Sequence, residues 1–421
     1  MTTEQTETEK KQYGCEDAGW MDVPRKNGCH VQHVFIIGCK GIPAQYGGFE
    51  TFVDKLTEYQ TDKCIRYHVA CAAEPQAYER THARFRCHHA ECVRFPWRRL
   101  GSARAIAYDI DALRYFLHEV KKKQIPHPIF YVLACRIGPV IGYFHQRIRE
   151  LGGQLFVNPD GHEFLRAKWS PAVRRYWKYS ERLMVKHADL LICDSQNIQT
   201  YIREEYRRYH PKTVFIAYGA QTEPSALSDD DPKLAEWYRM HDLREHGDYL
   251  VVGRFVPENN YETMLREFMK SDTSRAFALI TDVSEAFLEE LKQRTGFDKD
   301  PRIRFTGTVY DKELLKKIRE NAFGYFHGHE VGGTNPSLLE ALASTSLNLL
   351  LDVGFNREVA LDTAFYWEKQ EGSLAALIAR AEQMSADEIR ALGRRAKQRI
   401  DRYYSWEYIT DRYEKIFVKR S

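Results

Sequence analysis

The 421-residue chain lacks any long apolar run. Its mean hydropathy is −0.55, and no uninterrupted apolar stretch reaches the roughly 18 residues of a membrane-spanning helix. The first 30 residues are polar and contain no apolar core of the kind found in a secretory signal. We therefore expect a cytoplasmic protein, either soluble or attached peripherally to a membrane.

The chain also lacks the dense cysteine pattern of a disulfide scaffold. Its nine cysteines are scattered, so we expect them to be largely reduced. Cys87–Cys92 contains histidine and glutamate, but no second Cys/His pair at zinc-finger spacing lies nearby. No metal and no cofactor are expected. A net charge of +3 does not by itself indicate nucleic-acid binding, and no nucleic-acid partner is expected.

A dinucleotide fingerprint is absent as well. The Gly-x-Gly-x-x-Gly pattern does not occur, although Glu74 could imitate the ribose-binding acid of a dehydrogenase, which remains an alternative.

Short apolar runs alternate with helical patterns along the whole chain. Strands are predicted in the first half at 34–38, 67–71, 129–133, 155–157, 190–193 and 214–217, and in the second half at 249–253, 276–280, 303–306, 324–326 and 347–351. Such alternation predicts parallel sheets and an α/β fold. Ligands bind beyond the carboxyl ends of such strands, so we expect two sheets facing a central cleft that holds the active site. The polar stretch Ser228–Pro232 is interpreted as an interdomain connection.

The segment His327–Leu342 is the most informative motif. Small residues precede Pro336, which fits the first position of a helix, and Glu340 follows one turn later. A helix start suits a diphosphate, and a carboxylate can accept hydrogen bonds from two ribose hydroxyls. The expected donor-binding residues here are Gly333, Thr334, Asn335, Pro336, Ser337, Leu338 and Glu340. An ordinary buried helix start is the alternative.

Two further segments follow predicted strands. Arg254 is placed to offset the charge on a departing diphosphate, unless it forms a surface ion pair with Glu258. In the first half, Gly47 and Gly48 precede a helix and can bring backbone N–H groups to a phosphate.

A turn at Asn158–Glu163 also follows a strand. Its Asp160, His162 and Glu163 are suited to holding an acceptor hydroxyl, although Asp-Gly is also a common turn. The next segment, 164–187, mixes basic and aromatic residues, and its Arg174, Arg175 and Lys178 could rest on an anionic membrane surface. A solvated helix face is the alternative.

Together these motifs resemble glycosyltransferase family 4, whose members are retaining transferases of the GT-B fold. The resemblance runs from about Val34 to the C-terminus. Within it, 37–53, 157–161, 253–260 and 327–336 look most like the β-1,4-rhamnosyltransferases of bacterial cell-wall and capsular polysaccharide synthesis.

The resemblance implies a GT-B fold in which two Rossmann-like domains face a central cleft. It implies an N-terminal extension at 1–30 of unknown role, an acceptor domain at 31–220, a donor domain at 221–402, and a C-terminal helix at 403–421 that crosses back to the first domain.

The implied activity is transfer of L-rhamnose from dTDP-β-L-rhamnose to a GlcNAc-diphosphate-lipid in a β-1,4 linkage, at the inner face of the cell membrane. The implied catalytic residues are Asp160, Arg254 and Glu330. Asn259 replaces the family's usual lysine in the donor site, and Gly332 stands where its first glutamate would fall, two residues after Glu330. A UDP-hexose transferase and a catalytically silent nucleotide-sugar-binding module are the alternatives.

Overall fold

The structure is a computed structural model that describes residues 16–17, 31–44, 47–73, 83–166 and 168–418. Glu74 and almost all of the N-terminal extension lie outside these ranges. The chain divides into two compact units. Unit 1 comprises the described residues of Met1–Leu165, Trp169–Tyr218 and Trp406–Ser421, and unit 2 those of Arg166–Lys168 and Gly219–Ser405.

Unit 1 is built on a nine-stranded sheet with the order β1-β4-β5-β3-β2-β6-β7-β8-β9. Its strands are β1 (Glu16–Asp17), β2 (Gln32–Ile37), β3 (Ile65–Ala73), β4 (Arg84–Cys87), β5 (Ala90–Pro96), β6 (Ile129–Leu133), β7 (Gln154–Asn158), β8 (Leu190–Cys193) and β9 (Thr213–Phe215). Its helices are α1 (Gly48–Glu58), α2 (Arg104–Lys123), α3 (Gly138–Glu150), α4 (Pro171–His187) and α5 (Gln196–Glu205), with 3-10 turns at Gly101–Ala103, Glu163–Leu165 and Arg207–Tyr209.

Unit 2 is built on a six-stranded parallel sheet with the order β12-β11-β10-β13-β14-β15. Its strands are β10 (Asp248–Val252), β11 (Ala276–Ile280), β12 (Ile303–Gly307), β13 (Gly324–His327), β14 (Asn348–Leu351) and β15 (Phe365–Trp367). Its helices are α6 (Pro232–His241), α7 (Tyr261–Met269), α8 (Glu285–Thr295), α9 (Lys312–Asn321), α10 (Pro336–Ser344), α11 (Gly354–Ala360), α12 (Ser373–Glu382) and α13 (Ala386–Tyr404), with 3-10 turns at Pro257–Asn259 and Phe297–Lys299.

The predicted α/β fold with parallel sheets is confirmed. The central strands are apolar on both faces because helices cover both sides, and all five residues of β6 are buried. One exception is β4, which pairs antiparallel with β5 through a turn that holds His88 at φ 51°. Arginines at 84 and 86 interrupt the apolar pattern of β4, so no strand was predicted there.

The boundary between the units falls between Tyr218 and Gly219, beside the expected end of the first domain at 220, and Ser228–Pro232 lies within unit 2. In this segment Asp231 caps α6 by accepting a hydrogen bond from the Lys233 N–H at 2.9 Å. Asp229 forms an ion pair of 2.6 Å with Lys317. Asp231 and Pro232 thus mark the start of α6, a position at which both residue types are common.

The last helix, α14 (Trp406–Val418), belongs to unit 1, which confirms the predicted return of the chain to the first domain. The Tyr413 and Tyr131 hydroxyls lie 3.2 Å apart, and Phe417 stacks on Phe156. The buried Glu414 carboxylate accepts hydrogen bonds from the Thr61 N–H at 2.8 Å and its hydroxyl at 2.7 Å. An apolar face and one satisfied carboxylate therefore anchor α14 to the sheet of unit 1.

Six cysteines, at 39, 71, 87, 92, 135 and 193, are buried free thiols. Cys64 is disulfide-bonded, so the expectation of largely reduced cysteines does not extend to it. Among the described helices, none combines the length and the hydropathy needed to span a bilayer.

Candidate functional site

In unit 2, the end of β10 and the start of α10 are joined by a hydrogen-bond network. The Ser337 hydroxyl donates to the Val252 carbonyl at 2.9 Å, and the Tyr325 hydroxyl lies 3.0 Å from the same oxygen. The two hydroxyls are 2.9 Å apart. This network fixes the helix start predicted at Pro336 beside the strand end that leads to Arg254.

Arg254 is exposed two residues after β10. The next residue, Phe255, is buried against Tyr261, Phe287 and Phe305, which anchors the loop. Among the described residues Arg254 forms no ion pair, and Glu258 is buried. The alternative of a surface ion pair between these two residues is therefore not what the structure shows, and the guanidinium remains available to an anion.

Asn259 ties the Arg254 loop to the loop that follows β13. Its amide nitrogen donates to the Arg254 carbonyl at 2.7 Å, so its oxygen is left to accept from Nδ1 of His329, also at 2.7 Å. The next residue, Asn260, donates to the Gly328 carbonyl at 2.8 Å. In the sequence analysis Asn259 stood only for the loss of a positive charge. In the structure it connects two loops of the candidate donor site.

Gly328 is required by close packing rather than by its φ angle. A Cβ there would lie 2.3 Å from the Asn259 carbonyl oxygen, which no side chain tolerates. Gly332 has a different constraint, because its φ of 133° is strained for any residue with a side chain. A glutamate at this position, as in the family that the sequence resembles, would therefore be strained.

Glu340 lies on α10 with 44% of its side chain exposed, and it pairs with the buried Arg319 at 2.7 Å. The Arg319 guanidinium also lies 3.5 Å from the Ser337 hydroxyl. Arg319 was not identified from the sequence, where it is one of several basic residues on α9. It holds the carboxylate that we expect to read the ribose.

Glu330 forms a short ion pair with Lys369, which sequence reasoning also missed. The Glu330 N–H donates to the Glu258 carbonyl at 3.2 Å. The carboxylate is therefore partly neutralised by a lysine that comes from the turn after β15, nearly 40 residues later.

Two buried histidines lie beneath this site. Burial lowers the pKa of His327 to about 3, and burial, together with His327 and nearby arginines, lowers the pKa of His329 to about 3. Both rings are therefore neutral at pH 7. Nε2 of His327 is buried without a hydrogen-bond partner among the described residues.

The α10 helix start is already partly capped. The Ser337 N–H donates to the Asn335 side chain at 2.9 Å, and the Leu338 and Leu339 N–H groups donate to the Asn335 carbonyl at 3.1 and 3.2 Å. Thr334 and Gly333 are buried just before the helix. Because Asn335 already accepts hydrogen bonds from the first N–H groups of α10, an anion bound here would interact with the positive end of the helix dipole and with the preceding glycine loop rather than with those N–H groups.

In unit 1, Gly47 is the N-cap of α1 and has a φ of 125°. A Cβ on Gly47 would lie 1.9 Å from the Glu50 carboxylate, which accepts a hydrogen bond from the Lys40 N–H at 2.7 Å. Gly48 is exposed, and a Cβ on it would meet no atom within 4 Å. The open space at Gly48 is compatible with a ligand phosphate, whereas Gly47 is required by the fold of the loop.

Arg136 organises the same glycine loop. It donates to the Gly38 carbonyl at 2.6 Å and to the buried Asp109 carboxylate at 3.0 Å. Burial raises the pKa of Asp109 to about 6, although Arg136 opposes this shift. Burial also opposes the charge on Arg136, but Asp109 and Asp160 raise its pKa on balance. Sequence reasoning missed Arg136, although it lies just beyond the carboxyl end of β6.

Asp160 lies beyond β7 with a left-handed φ of 59°. Its N–H donates to the Asn158 side chain at 2.8 Å, which forms the predicted turn. Its charge contributes to the raised pKa of Arg136. The structure thus brings Asp160 into the electrostatic surroundings of the glycine loop of unit 1.

His162 and Glu163 point to other partners. The His162 ring lies 4.3 Å from the Tyr201 ring, and burial and then Lys178 lower its pKa. Glu163 accepts a hydrogen bond from the Trp169 indole at 2.9 Å. His162 is therefore a partly buried neutral ring rather than an exposed cation.

The three predicted membrane cations of α4 differ from one another. Arg174 and Arg175 are exposed. Lys178 forms ion pairs with Glu205 at 2.9 Å and Glu181 at 3.6 Å, and it lies 4.7 Å from the Phe164 ring centroid. Its charge is largely satisfied within unit 1.

Cys87 and His88 of the segment Cys87–Cys92 lie together with Asp54 of α1. The ligand atoms of these three residues lie within 4.8 Å of one another. Nε2 of His88 and the Asp54 carboxylate are 3.1 Å apart, within hydrogen-bond distance.

A family model described as a domain of unknown function, DUF1972, matches residues 31–221. No curated protein sequence matches the chain significantly. Solved structures do resemble it. A sucrose-phosphate synthase from Thermosynechococcus elongatus is 16% identical with a TM-score of 0.70, over 92% of this chain and 98% of the synthase.

Two further solved structures are similar. Anabaena Alr3699/HepE, in complex with UDP and glucose, is 15% identical with a TM-score of 0.69, over 93% of this chain and 100% of its own. A glycosyltransferase from Rickettsia africae is 12% identical with a TM-score of 0.69, over the same shares of the two chains. These similarities show that the chain has the GT-B fold.

Proposed function

We propose that the protein is a retaining hexosyltransferase that moves L-rhamnose from dTDP-β-L-rhamnose to a GlcNAc-diphosphate-lipid in a β-1,4 linkage. The observation that carries the transferase activity is the arrangement in unit 2. Arg254 follows β10, is exposed and forms no ion pair with any described residue. The same strand end is bonded to the start of α10, which carries Glu340. The GT-B fold supports this activity, and the motif resemblance supports the donor and the acceptor.

In this proposal Arg254 binds the diphosphate of the donor, and Glu340 accepts hydrogen bonds from the ribose hydroxyls. As the bond from the anomeric carbon to the phosphate oxygen breaks, negative charge builds on the departing diphosphate, where a guanidinium is most effective. The acceptor hydroxyl forms the new glycosidic bond on the same face, and its proton passes to the leaving phosphate. No protein nucleophile and no metal are required by this scheme.

Asp160 is assigned to the acceptor. A carboxylate at the end of β7 can orient the attacking hydroxyl, and His162 and Glu163 complete the acceptor turn. Gly47 and Gly48 are assigned to the donor phosphate in unit 1. Glu330 is assigned to the transferred sugar. Its carboxylate also pairs with the Lys369 ammonium group.

The exposed Arg174 and Arg175 support peripheral attachment to an anionic membrane at its cytoplasmic face, where a lipid-linked acceptor is found. Val140 and Tyr143 of the neighbouring α3 are also exposed and would add apolar contact.

The test is incubation of the purified protein with dTDP-rhamnose and synthetic GlcNAc-diphosphate-lipid, followed by mass and linkage analysis.

Arg254→Ala should lower kcat more than donor affinity, because the arginine acts mainly on the departing charge. The matched control is Arg294→Ala, which removes an equally exposed arginine of unit 2 that is paired with Glu262. Asp160→Asn should abolish transfer and spare dTDP binding. Product formation by both site variants at the wild-type rate would contradict the proposal.

A UDP-hexose donor is the second candidate, favoured by the UDP and glucose in the HepE complex. Donor-dependent release of UDP rather than dTDP would identify it. A silent binding module would bind a nucleotide sugar and release no nucleotide with any acceptor.

A further inference from the structure

A cavity of 640 Å³ in unit 1 is lined mainly by cations. Three of them, Arg175, Lys178 and Arg182, lie on α4 at spacings of three and four residues, which places them on one face of the helix. Arg207 and Arg208 face them from the 3-10 turn after α5. Glu205 is the acidic residue of the lining.

The acidic groups at this cavity already have a counter-ion. Glu205 forms an ion pair of 2.9 Å with Lys178. Glu181, buried behind the cavity, lies 3.6 Å from the same ammonium group and accepts a hydrogen bond of 2.6 Å from the Tyr201 hydroxyl. Lys178 therefore pairs with both local carboxylates, and its single positive charge offsets one of their two negative charges. The four arginines of the lining still leave the surroundings of the cavity with a net positive charge.

None of the four arginines has a carboxylate partner within the part of the chain that the structure describes. Nε of Arg182 is in addition buried without a hydrogen-bond partner there. Elsewhere in the protein, exposed arginines such as Arg98 and Arg239 are paired with carboxylates at 2.6 Å. Four unpaired guanidinium groups around one cavity repel one another, a cost that a bound anion removes.

Aromatic rings hold two of these guanidinium groups in place. Cζ of Arg182 lies 5.2 Å from the Tyr179 ring centroid, and Cζ of Arg208 lies 4.6 Å from that of Tyr209. Stacking on a ring leaves the N–H edges of a guanidinium free to donate. Paired N–H donors on several arginines fit the oxygens of phosphate groups.

We propose that this arginine pocket, lined by Arg175, Arg182, Arg207 and Arg208, binds a phosphate-bearing anion. The site lies wholly within unit 1 and uses none of the residues assigned to the donor or the acceptor sugar, so it stands apart from the proposed transfer reaction. It shares Arg175 with the proposed membrane-binding surface. The phosphate can come from a soluble compound or from a lipid headgroup.

The test compares Arg207→Gln/Arg208→Gln with Lys121→Gln/Lys122→Gln. The control pair removes the same charge from exposed lysines at the end of α2, outside the pocket. Binding of inorganic pyrophosphate is measured by calorimetry at low ionic strength, where surface charges are least screened. The arginine variant should bind at least tenfold more weakly, and the lysine variant should stay within twofold of the wild type. Pyrophosphate could also bind at the proposed donor site of unit 2. Arg254→Ala identifies that fraction, because only binding at the donor site should be weakened in this variant.

Sedimentation with phosphatidylcholine vesicles, with and without phosphatidylglycerol, separates the two sources of phosphate. Loss of both pyrophosphate and phosphatidylglycerol binding in the arginine variant would support a lipid headgroup, and loss of pyrophosphate binding alone would support a soluble ligand. Equal pyrophosphate binding by the two double variants, at an unchanged melting temperature, would overturn the proposal. Failure of rhamnose transfer with intact pyrophosphate binding would contradict only the proposed function.

Discussion

At the scale of single residues, two arginines hold residues of the candidate sites in place. The sequence analysis identified those residues but not the arginines. Arg319 pairs with Glu340, and Arg136 bonds the glycine loop and lies in the electrostatic surroundings of Asp160. Both are largely buried, and both come from segments far from their partners in sequence. Buried arginines of this kind fix a carboxylate or a loop before a ligand arrives, which lowers the ordering cost of binding.

Glu340→Ala should weaken nucleotide-diphosphate binding by about 1.5–3 kcal/mol, the range for hydrogen bonds to a charged group. Calorimetry with dTDP and UDP measures the effect. The matched control is Glu290→Ala, which removes an exposed carboxylate that is likewise paired with an arginine, Arg294, at 2.9 Å. Unchanged nucleotide affinity in the Glu340 variant would show that this carboxylate does not read the ribose.

The two buried histidines predict a pH dependence of stability. Their folded pKa values of about 3 lie below the value of about 6.5 in the unfolded chain. Above pH 6.5 both rings are neutral in the folded and the unfolded states, and their contribution to stability is complete. Below that pH the unfolded chain takes up protons that the folded protein does not, so the free energy of unfolding falls by up to about 1.4 kcal/mol per pH unit for each ring until about pH 3. Urea unfolding at pH 7.5, 6 and 5 should show a shallower decline for His327→Gln than for the wild type. The exposed His246→Gln is the control, and parallel curves for both variants would contradict the assignment.

At the scale of elements, the candidate donor site depends on how closely the loop after β13 approaches the turn after β10. The contact between Gly328 and the Asn259 backbone leaves no room for a side chain. Asn259 then accepts a hydrogen bond from His329, and Asn260 donates one to the Gly328 carbonyl, so that the two loops are held together. The sequence showed the glycines and the asparagines, but not that they pack together, because register between loops is set only after the strands pair.

Gly328→Ala should lower the free energy of unfolding by about 1–3 kcal/mol, since a methyl group at 2.3 Å from a backbone oxygen forces one loop to move. Gly48→Ala is the matched control for stability, because its methyl group meets no atom within 4 Å. Chemical denaturation measures both. Equal stability of the two variants would show that the loops separate without cost.

At the scale of the whole molecule, the chain leaves unit 1 and returns to it with α14. The return buries an aromatic face and one carboxylate, Glu414, that receives three hydrogen bonds from Thr61 and Asp62. The last described helix therefore completes unit 1, whose stability depends on hydrogen bonds between residues 352 and 353 positions apart in the sequence.

Glu414→Gln should destabilise unit 1 by about 1–3 kcal/mol, because an amide satisfies fewer of these donors than a carboxylate and leaves a buried N–H group unpaired. Asp411→Asn, on the exposed side of the same helix, should change stability by less than about 0.5 kcal/mol. The melting temperature of each variant is the measurement. A Glu414 variant as stable as the Asp411 variant would mean that the buried carboxylate does not hold the helix.

The sequence alone determined the α/β class, because contiguous apolar runs separated by helical patterns can form little else. Three strands, at 129–133, 190–193 and 276–280, have the bounds that their apolar runs predict. The start of α10 at Pro336 was likewise readable, since proline and the preceding Asn335 are local signals.

Only the tertiary structure decided what surrounds each of these elements. In the folded chain Glu340 pairs with Arg319, Glu330 with Lys369, and Lys178 with Glu205 and Glu181. The arginine pocket is likewise formed by residues of two separate helical segments. Helix and strand signals act over a few residues, and the sequence reports them directly. Ion pairs and cavities depend on side chains brought together from distant positions, so they exist only once the sheets have formed.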